Sequence, residues 1–121
     1  MANTFKVATF AAEPASAGTP YVMYTVASST TTVVLGLVLS NINTTAVTAE
    51  VELVSTTSAR GGANNVANGT SFLIKDVNIP SGSSLEILSG GKVVLEAGDK
   101  IQIDCSVADK LSGTLSIMEI T

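Results

Sequence analysis

Alternation of apolar and polar side chains, broken at short intervals by turn residues, is the feature that most limits what this chain can become. Residues 47–54 put Val47, Ala49, Val51 and Leu53 on one side and Thr48, Glu50 and Glu52 on the other. Residues 100–106 repeat the pattern with Ile101, Ile103 and Cys105. A period of two belongs to a half-buried strand, whereas a helix needs apolar residues at every third or fourth place. Val, Ile and Thr supply close to a third of the 121 residues, and β-branched side chains fit a pleated surface better than a helix. The pattern predicts an all-β chain. Turns this frequent leave no room for the helical crossovers that parallel strands require. The expected architecture is therefore an antiparallel two-sheet β-sandwich, jelly-roll or immunoglobulin-like, with about nine strands.

The strands are expected at residues 5–10, 21–27, 33–41, 47–54, 71–79, 85–88, 92–95, 100–106 and 113–120. Residues 33–41 are almost all apolar, as in a central strand buried on both faces, with Gly36 marking a close packing point or a bulge. The short polar segment 41–45 predicts a hairpin joining that strand to 47–54. Residues 11–20 hold Pro14, Pro20 and Gly18 and read as an irregular connector. They divide the chain into an N-terminal strand or arm with its connector, 1–20, and a β-sandwich domain, 21–121. Either residues 5–10 are the first strand of their own sandwich, or they form an arm that adds to the sheet edge of another subunit. Residues 55–70, with Arg60-Gly61-Gly62 and Asn68-Gly69 and almost no large apolar side chain, form the longest loop.

Composition removes much chemistry. The chain has no His, no Trp and a single Cys, so Ser–His and Cys–His nucleophiles and His-ligated metals lack their parts. Cys105 shares a face with Ile101 and Ile103 and is expected to be a small buried hydrophobe. Glu50 and Glu52 lie about 6.6 Å apart along one strand face, a spacing that could serve a glycosidase. With no Trp and five Phe and Tyr residues in all, no aromatic platform for a sugar is expected, and the pair reads as a solvated face. Asp76, Asp99, Asp104 and Asp109 lack the dense spacing of a calcium loop, and Gly61-Gly62 and Gly90-Gly91 lack that of a phosphate loop. The expectation is no enzyme, with no catalytic, cofactor-binding or metal-binding residues.

Ten acidic and six scattered basic residues give a formal net charge of −4, which argues against nucleic acid and anionic membranes as partners. Lys6, Thr9 and Glu13 interrupt what would have to be the apolar segment of a signal peptide, so synthesis in the cytoplasm is expected. The longest apolar run, 33–39, falls short of the ~20 residues of a membrane helix. Ser and Thr total 29 and interleave with apolar residues. Such a polar, weakly charged face suits packing against other protein. The residues expected to make subunit contacts are Phe5, Val7 and Phe10 near the N-terminus and Arg60, Asn64 and Asn65 in the long loop.

From Val33 onward the order of segments becomes familiar. Val34-Leu35-Gly36-Leu37-Val38-Leu39-Ser40-Asn41 precedes the alternating 47–54. Asn78-Ile79-Pro80-Ser81-Gly82-Ser83-Ser84-Leu85, Gly91-Lys92-Val93-Val94-Leu95-Glu96-Ala97-Gly98-Asp99-Lys100-Ile101 and the ending Leu115-Ser116-Ile117-Met118-Glu119-Ile120-Thr121 follow. Over about residues 30–121 the chain resembles a family of small virion structural proteins of tailed bacteriophages, especially marine and cyanobacterial phages. Its most specific pieces are Leu-Glu-Ala-Gly-Asp-Lys-Ile and the terminal Ser-Ile-Met-Glu-Ile. The arrangement of Leu95, Gly98-Asp99 and Ile101 also recurs in jelly-roll heads such as tumour-necrosis-factor-like domains. The resemblance implies a virion component made in the host bacterial cytoplasm, a homo-oligomer whose partners are major capsid or tail subunits. A capsid decoration or cement subunit is the first expectation. A neck or tail component, or a receptor-binding head on a fibre or tail tip, is the alternative.

Overall fold

The computed structural model describes residues 2–55, 69–88 and 90–121. Every regular element among them is a β-strand: β1 (Asn3–Glu13), β2 (Tyr21–Thr25), β3 (Thr31–Asn41), β4 (Val47–Val54), β5 (Thr70–Ile79), β6 (Ser84–Glu86), β7 (Val93–Leu95), β8 (Lys100–Cys105) and β9 (Leu111–Ile120). They form two antiparallel sheets, as the alternation requires. One has the order β1-β9-β3-β6, with β7 also on β3, and the other the order β2-β8-β4-β5. β6 lies along Val38–Ser40 and β7 along Thr32–Val34, so the two short strands fill one position beside β3. Counted that way there are eight positions in the order of a jelly roll.

The inward faces follow the sequence pattern. Leu37, Leu39, Leu95, Leu111, Leu115 and Ile117 from one sheet meet Val47, Ala49, Val51, Ile79, Ile101, Ile103 and Cys105 from the other, all buried. Cys105 is free and buried, and burial pushes its thiol pKa up. Three expectations need correction. The chain makes no hairpin at 41–45. β3 and β4 belong to different sheets, because the loop carries the chain from one layer of the sandwich to the other. Residues 33–41 are not buried on both faces either. Thr32, Val34, Leu37, Leu39 and Asn41 point inward, while Leu35 is an exposed extra residue where the register shifts between Val34 and Gly36. The bulge expected near Gly36 is therefore present. β1, finally, runs three residues beyond the expected strand, through Ala11 and Ala12 to Glu13; of the two readings offered for it, it is the first strand of its own sandwich, paired with β9 of its own chain.

Asn41 holds the crossing point together. Its Nδ2 donates to the carbonyls of Thr45 (3.0 Å) and Ile79 (2.8 Å), and its Oδ1 accepts from the N–H of Asn43 (2.8 Å). One buried amide thus joins the end of β3, the crossing loop and the end of β5. Asn41→Ala is expected to destabilise the fold by about 1–3 kcal/mol, since it strands buried backbone groups without partners. Chemical denaturation, with an unchanged m value, checks this.

A second staple sits in the Glu96–Asp99 turn. Gly98 takes a φ of 88° there, open to glycine at little cost. Fully buried Asp99 accepts the Glu96 N–H on Oδ2 at 3.0 Å. Val26 brackets the turn, donating to the Asp99 carbonyl (2.9 Å) and accepting from the Gly98 N–H (3.0 Å). This is how the Leu-Glu-Ala-Gly-Asp-Lys-Ile segment sets β7 and β8 into opposite sheets.

Candidate functional site

Among the described residues, the outward face of the five-stranded sheet carries the most exposed large apolar side chains. Register places Phe5 of β1 beside Met118 of β9, Met118 beside Val33 of β3, and Val33 beside Val94 of β7. This row crosses four strands, with Phe5 71% and Val94 59% exposed at its two ends. In the next row Val7, 63% exposed, lies beside Ser116, and Ser116 beside Gly36, with the bulged Leu35 standing next to them. The small residues in the middle leave a shallow groove of about 370 Å³ between Phe5 and Val7 on one side and Leu35 on the other. A third row, Thr9, Thr114, Val38 and Glu86, turns polar. The face thus grades from apolar to polar along the strands.

Of the expected contact residues, Phe5 and Val7 lie on this face. Phe10 does not. It points into the core at 8% exposure and packs on Tyr21, with ring centroids 5.3 Å apart. The cause is a β9 partner without a side chain: Gly113 lies opposite Phe10, and the ring fills the vacant space. Arg60, Asn64 and Asn65 lie outside the described residues. Val33, Leu35, Val94 and Met118 share this face and are not among the residues expected from the sequence. Alternation puts Val33, Val94 and Met118 opposite inward neighbours, but only the pairing of distant strands brings them into one row.

The other sheet carries a depression of about 210 Å³ whose lining includes Gly18, Thr48, Glu50, Asp76, Asp104 and Ser106. Glu50 and Asp104 are cross-strand partners, which places like charges side by side. Lys75 offsets this, with Nζ 2.7 Å from Glu50 and 3.8 Å from Asp76 and 4.8 Å above the Phe72 ring. The hydrogen bond to Glu50 raises the Lys75 pKa. Asp104 accepts the N–H groups of Gly18 (3.1 Å) and Cys105 (2.8 Å). Among the described residues, no three His, Cys, Asp or Glu side chains form a group able to hold a metal ion.

Glu52 corrects the reading of β4 as having a fully solvated outward face. Its residue is buried, and its carboxylate accepts from Gln102 Nε2 at 2.7 Å. Gln102 and Phe72 flank it on the adjacent strands and cover it. The carboxylates of Glu50 and Glu52 each have a partner of their own, an ammonium and an amide respectively.

At one end of the sandwich a polar cluster ties the sheets together. The Tyr24 hydroxyl donates to Glu119 Oε2 at 2.6 Å and lies 2.8 Å from Thr32 Oγ1, while Lys6 Nζ sits 2.7 Å from Glu119 Oε1. The Lys6 and Tyr24 hydrogen bonds lower the Glu119 pKa, and burial, followed by the bond to Glu119, pushes the Tyr24 phenol up to about 12. A carboxylate whose folded pKa is lowered stabilises the fold above its ordinary value of about 4.3 and loses that contribution as pH falls through the lowered one. A phenol raised in the fold stabilises below about 10 and loses its contribution as pH climbs towards 12. Glu119→Gln is therefore expected to melt several degrees lower than the parent at pH 7, with the gap closing as pH drops below 4. In the variant, the Tyr24 phenol should ionise at lower pH. Melts across pH and phenolate absorbance measure both.

No protein-family model and no curated protein matches this chain. Among solved structures, a chain from Bacillus endospore appendages, described as a novel family of disulfide-linked pili, is similar over 99% of this chain and 87% of its own. The identity is 16% and the TM-score 0.49. A superposition that loose carries no argument about function.

Proposed function

We propose that this chain is a non-enzymatic structural subunit of a tailed-phage particle, decorating or cementing the capsid by laying the outward face of its five-stranded sheet on neighbouring virion subunits. The observation that carries this reading is the apolar row Phe5, Met118, Val33 and Val94 with Val7 and Leu35 beside it. Contiguous exposed apolar surface on a folded domain marks a place where another protein sits. The segments that carry the family resemblance support the same face: the terminal Ser-Ile-Met-Glu-Ile lies in β9 and the Val34–Asn41 stretch in β3. Each contact would be modest, at about 25 cal/mol per Å² of apolar area removed from water, and repetition around a particle multiplies it.

The test is cryo-EM of purified particles together with the copy ratio to the major capsid protein. Decoration predicts many copies on the shell, with Phe5, Leu35 and Val94 at the contact. Folded Leu35→Glu and Val94→Glu proteins should be missing from particles. A few copies at a tail tip would instead establish the tail or receptor-binding reading. Hydrolysis of cell-wall or capsular polysaccharide, abolished by Glu50→Gln, would replace the structural reading with an enzyme.

A further inference from the structure

Among the described residues, four strand positions form the edges of the two sheets, and three of them are blunted. β2 is five residues long and bulged. β6 and β7 are three residues each. β5 has two register shifts against β4, with Asp76 at a φ of 51° and charged Lys75 beside it. Short length, bulges and charges are the devices that keep a sheet edge from pairing with another chain. Over residues 3–9, β1 is neither short nor bulged, and it carries one charge. Its register with β9 is unbroken from Asn3 to Phe10, it contains no proline, and the one charge in this stretch, Lys6, is held by Glu119.

The hydrogen-bonding phase of this edge is fixed by its first pair. Ala2 and Thr121 exchange both backbone bonds, at 3.2 and 3.0 Å. In an antiparallel ladder such pairs alternate, so Thr4, Lys6, Ala8 and Phe10 spend their N–H and C=O groups on β9. Asn3, Phe5, Val7 and Thr9 aim theirs away from the sheet. We infer that this free edge pairs with the β1 of a second copy, antiparallel about a two-fold axis through Lys6, so that two five-stranded sheets join into one of ten.

The occupant follows from self-complementarity. Only odd residues offer outward backbone groups, so odd must face odd. With the axis at Lys6, Phe5 faces Val7 of the second copy, Val7 faces its Phe5, and Asn3 faces its Thr9. Moving the axis to Phe5 or to Val7 sets one large apolar side chain opposite Asn3 or Thr9. Apolar cross-strand pairs favour the first register. A chain of net charge −4 ordinarily repels its copy, but this stretch of edge carries no acidic side chain. The two lysines at the axis arrive already paired with the Glu119 of their own chains. This edge contact goes beyond the seating of the sheet face on a particle and is tested on the isolated protein, so either can fail without the other.

Light scattering on size-exclusion chromatography should find a dimer at tens of micromolar. Val7→Pro removes only an outward N–H and is tolerable at a sheet edge. It should leave the melt close to that of the parent and weaken the dimer at least tenfold. Lys6→Cys, placed opposite its own copy in a non-hydrogen-bonded pair with Cα atoms about 4.5 Å apart, should form a disulfide dimer on mild oxidation. Thr4→Cys, which faces Ala8 of the copy, should not. Cys105 is buried and adds little background. A monomeric parent, or a folded Val7→Pro protein that dimerises as tightly as the parent, overturns the inference. Equal cross-linking of the Lys6→Cys and Thr4→Cys proteins overturns the register.

Discussion

Ile103→Asp is expected to yield no folded protein. Ile103 is fully buried in the middle of β8, flanked by Tyr21 on β2 and Val51 on β4. Around it the core offers Ile101, Leu115, Leu37 and other hydrocarbon, with no cation among its members. A carboxylate placed there must either ionise without a partner or take up a proton, and both cost several kcal/mol. Removing the isoleucine from the core costs about 2–5 kcal/mol more. Against a total stability of ~5–15 kcal/mol for a domain of this kind, the fold does not survive. Ile103→Val, which keeps the surface apolar and removes one methylene, should lose only about 0.5–1.5 kcal/mol. Thr114→Asp, exposed on the outward face of the other sheet, should be nearly silent. Soluble yield, the β signature in far-UV circular dichroism and a thermal melt compare the three. An Ile103→Asp protein that is soluble and melts normally would show that this side chain does not face the core.

Legibility differed from one element to the next for physical reasons. In β8, alternation is read directly, because a strand with one wet face must place every second residue inside. Ile101, Ile103 and Cys105 are buried accordingly. In β3 the same logic weakens. Its outward neighbours Val33, Leu35 and Val38 are apolar too, and an apolar side chain does not declare whether it faces a core or a partner. Strand pairing is less visible still. The segment 41–45 is short enough for a hairpin and equally short enough to step between sheets, and alternation in β3 and β4 is the same in both cases. What decides is the pairing of Thr31–Asn41 with Leu111–Ile120, strands far apart in the chain that no local pattern links. The candidate site depended on that pairing. Phe5 and Val7 were legible as apolar residues on an end strand, but Met118, Val33 and Val94 became their neighbours only through β9 and β3. Glu52 was misread for a related reason. Its outward direction is correct, and its burial comes from Gln102 and Phe72 on adjacent strands.

Gly113 makes the same point in energetic form, and it carries the second large expected effect. A glycine inside a central strand costs roughly 0.5–1 kcal/mol relative to alanine in chain entropy, so the fold must gain something by it. It gains Phe10. A Cβ added at Gly113 would lie 2.3 and 2.5 Å from two carbons of the Phe10 ring, far inside the ~3.5–4.0 Å of an ordinary carbon contact. Tyr21 also packs on the ring, with centroids 5.3 Å apart and planes tilted at 60°, which restricts where the ring can move. Gly113→Val is therefore expected to expel the ring or part β1 from β9, at about 3–5 kcal/mol, combining lost aromatic burial with overpacking. Gly113→Ala should cost less, about 2–3 kcal/mol, for the same reason. In a Phe10→Ala background the obstacle is gone. There Gly113→Ala should be neutral or stabilising by up to about 1 kcal/mol, because it restores the entropy the glycine lost. Denaturant melts of the four proteins give a coupling energy, expected at about 2–4 kcal/mol for side chains that share one space. Equal costs for Gly113→Ala in the two backgrounds would mean that the glycine serves something other than the Phe10 ring, and that the N-terminal strand is anchored in the sandwich by other contacts.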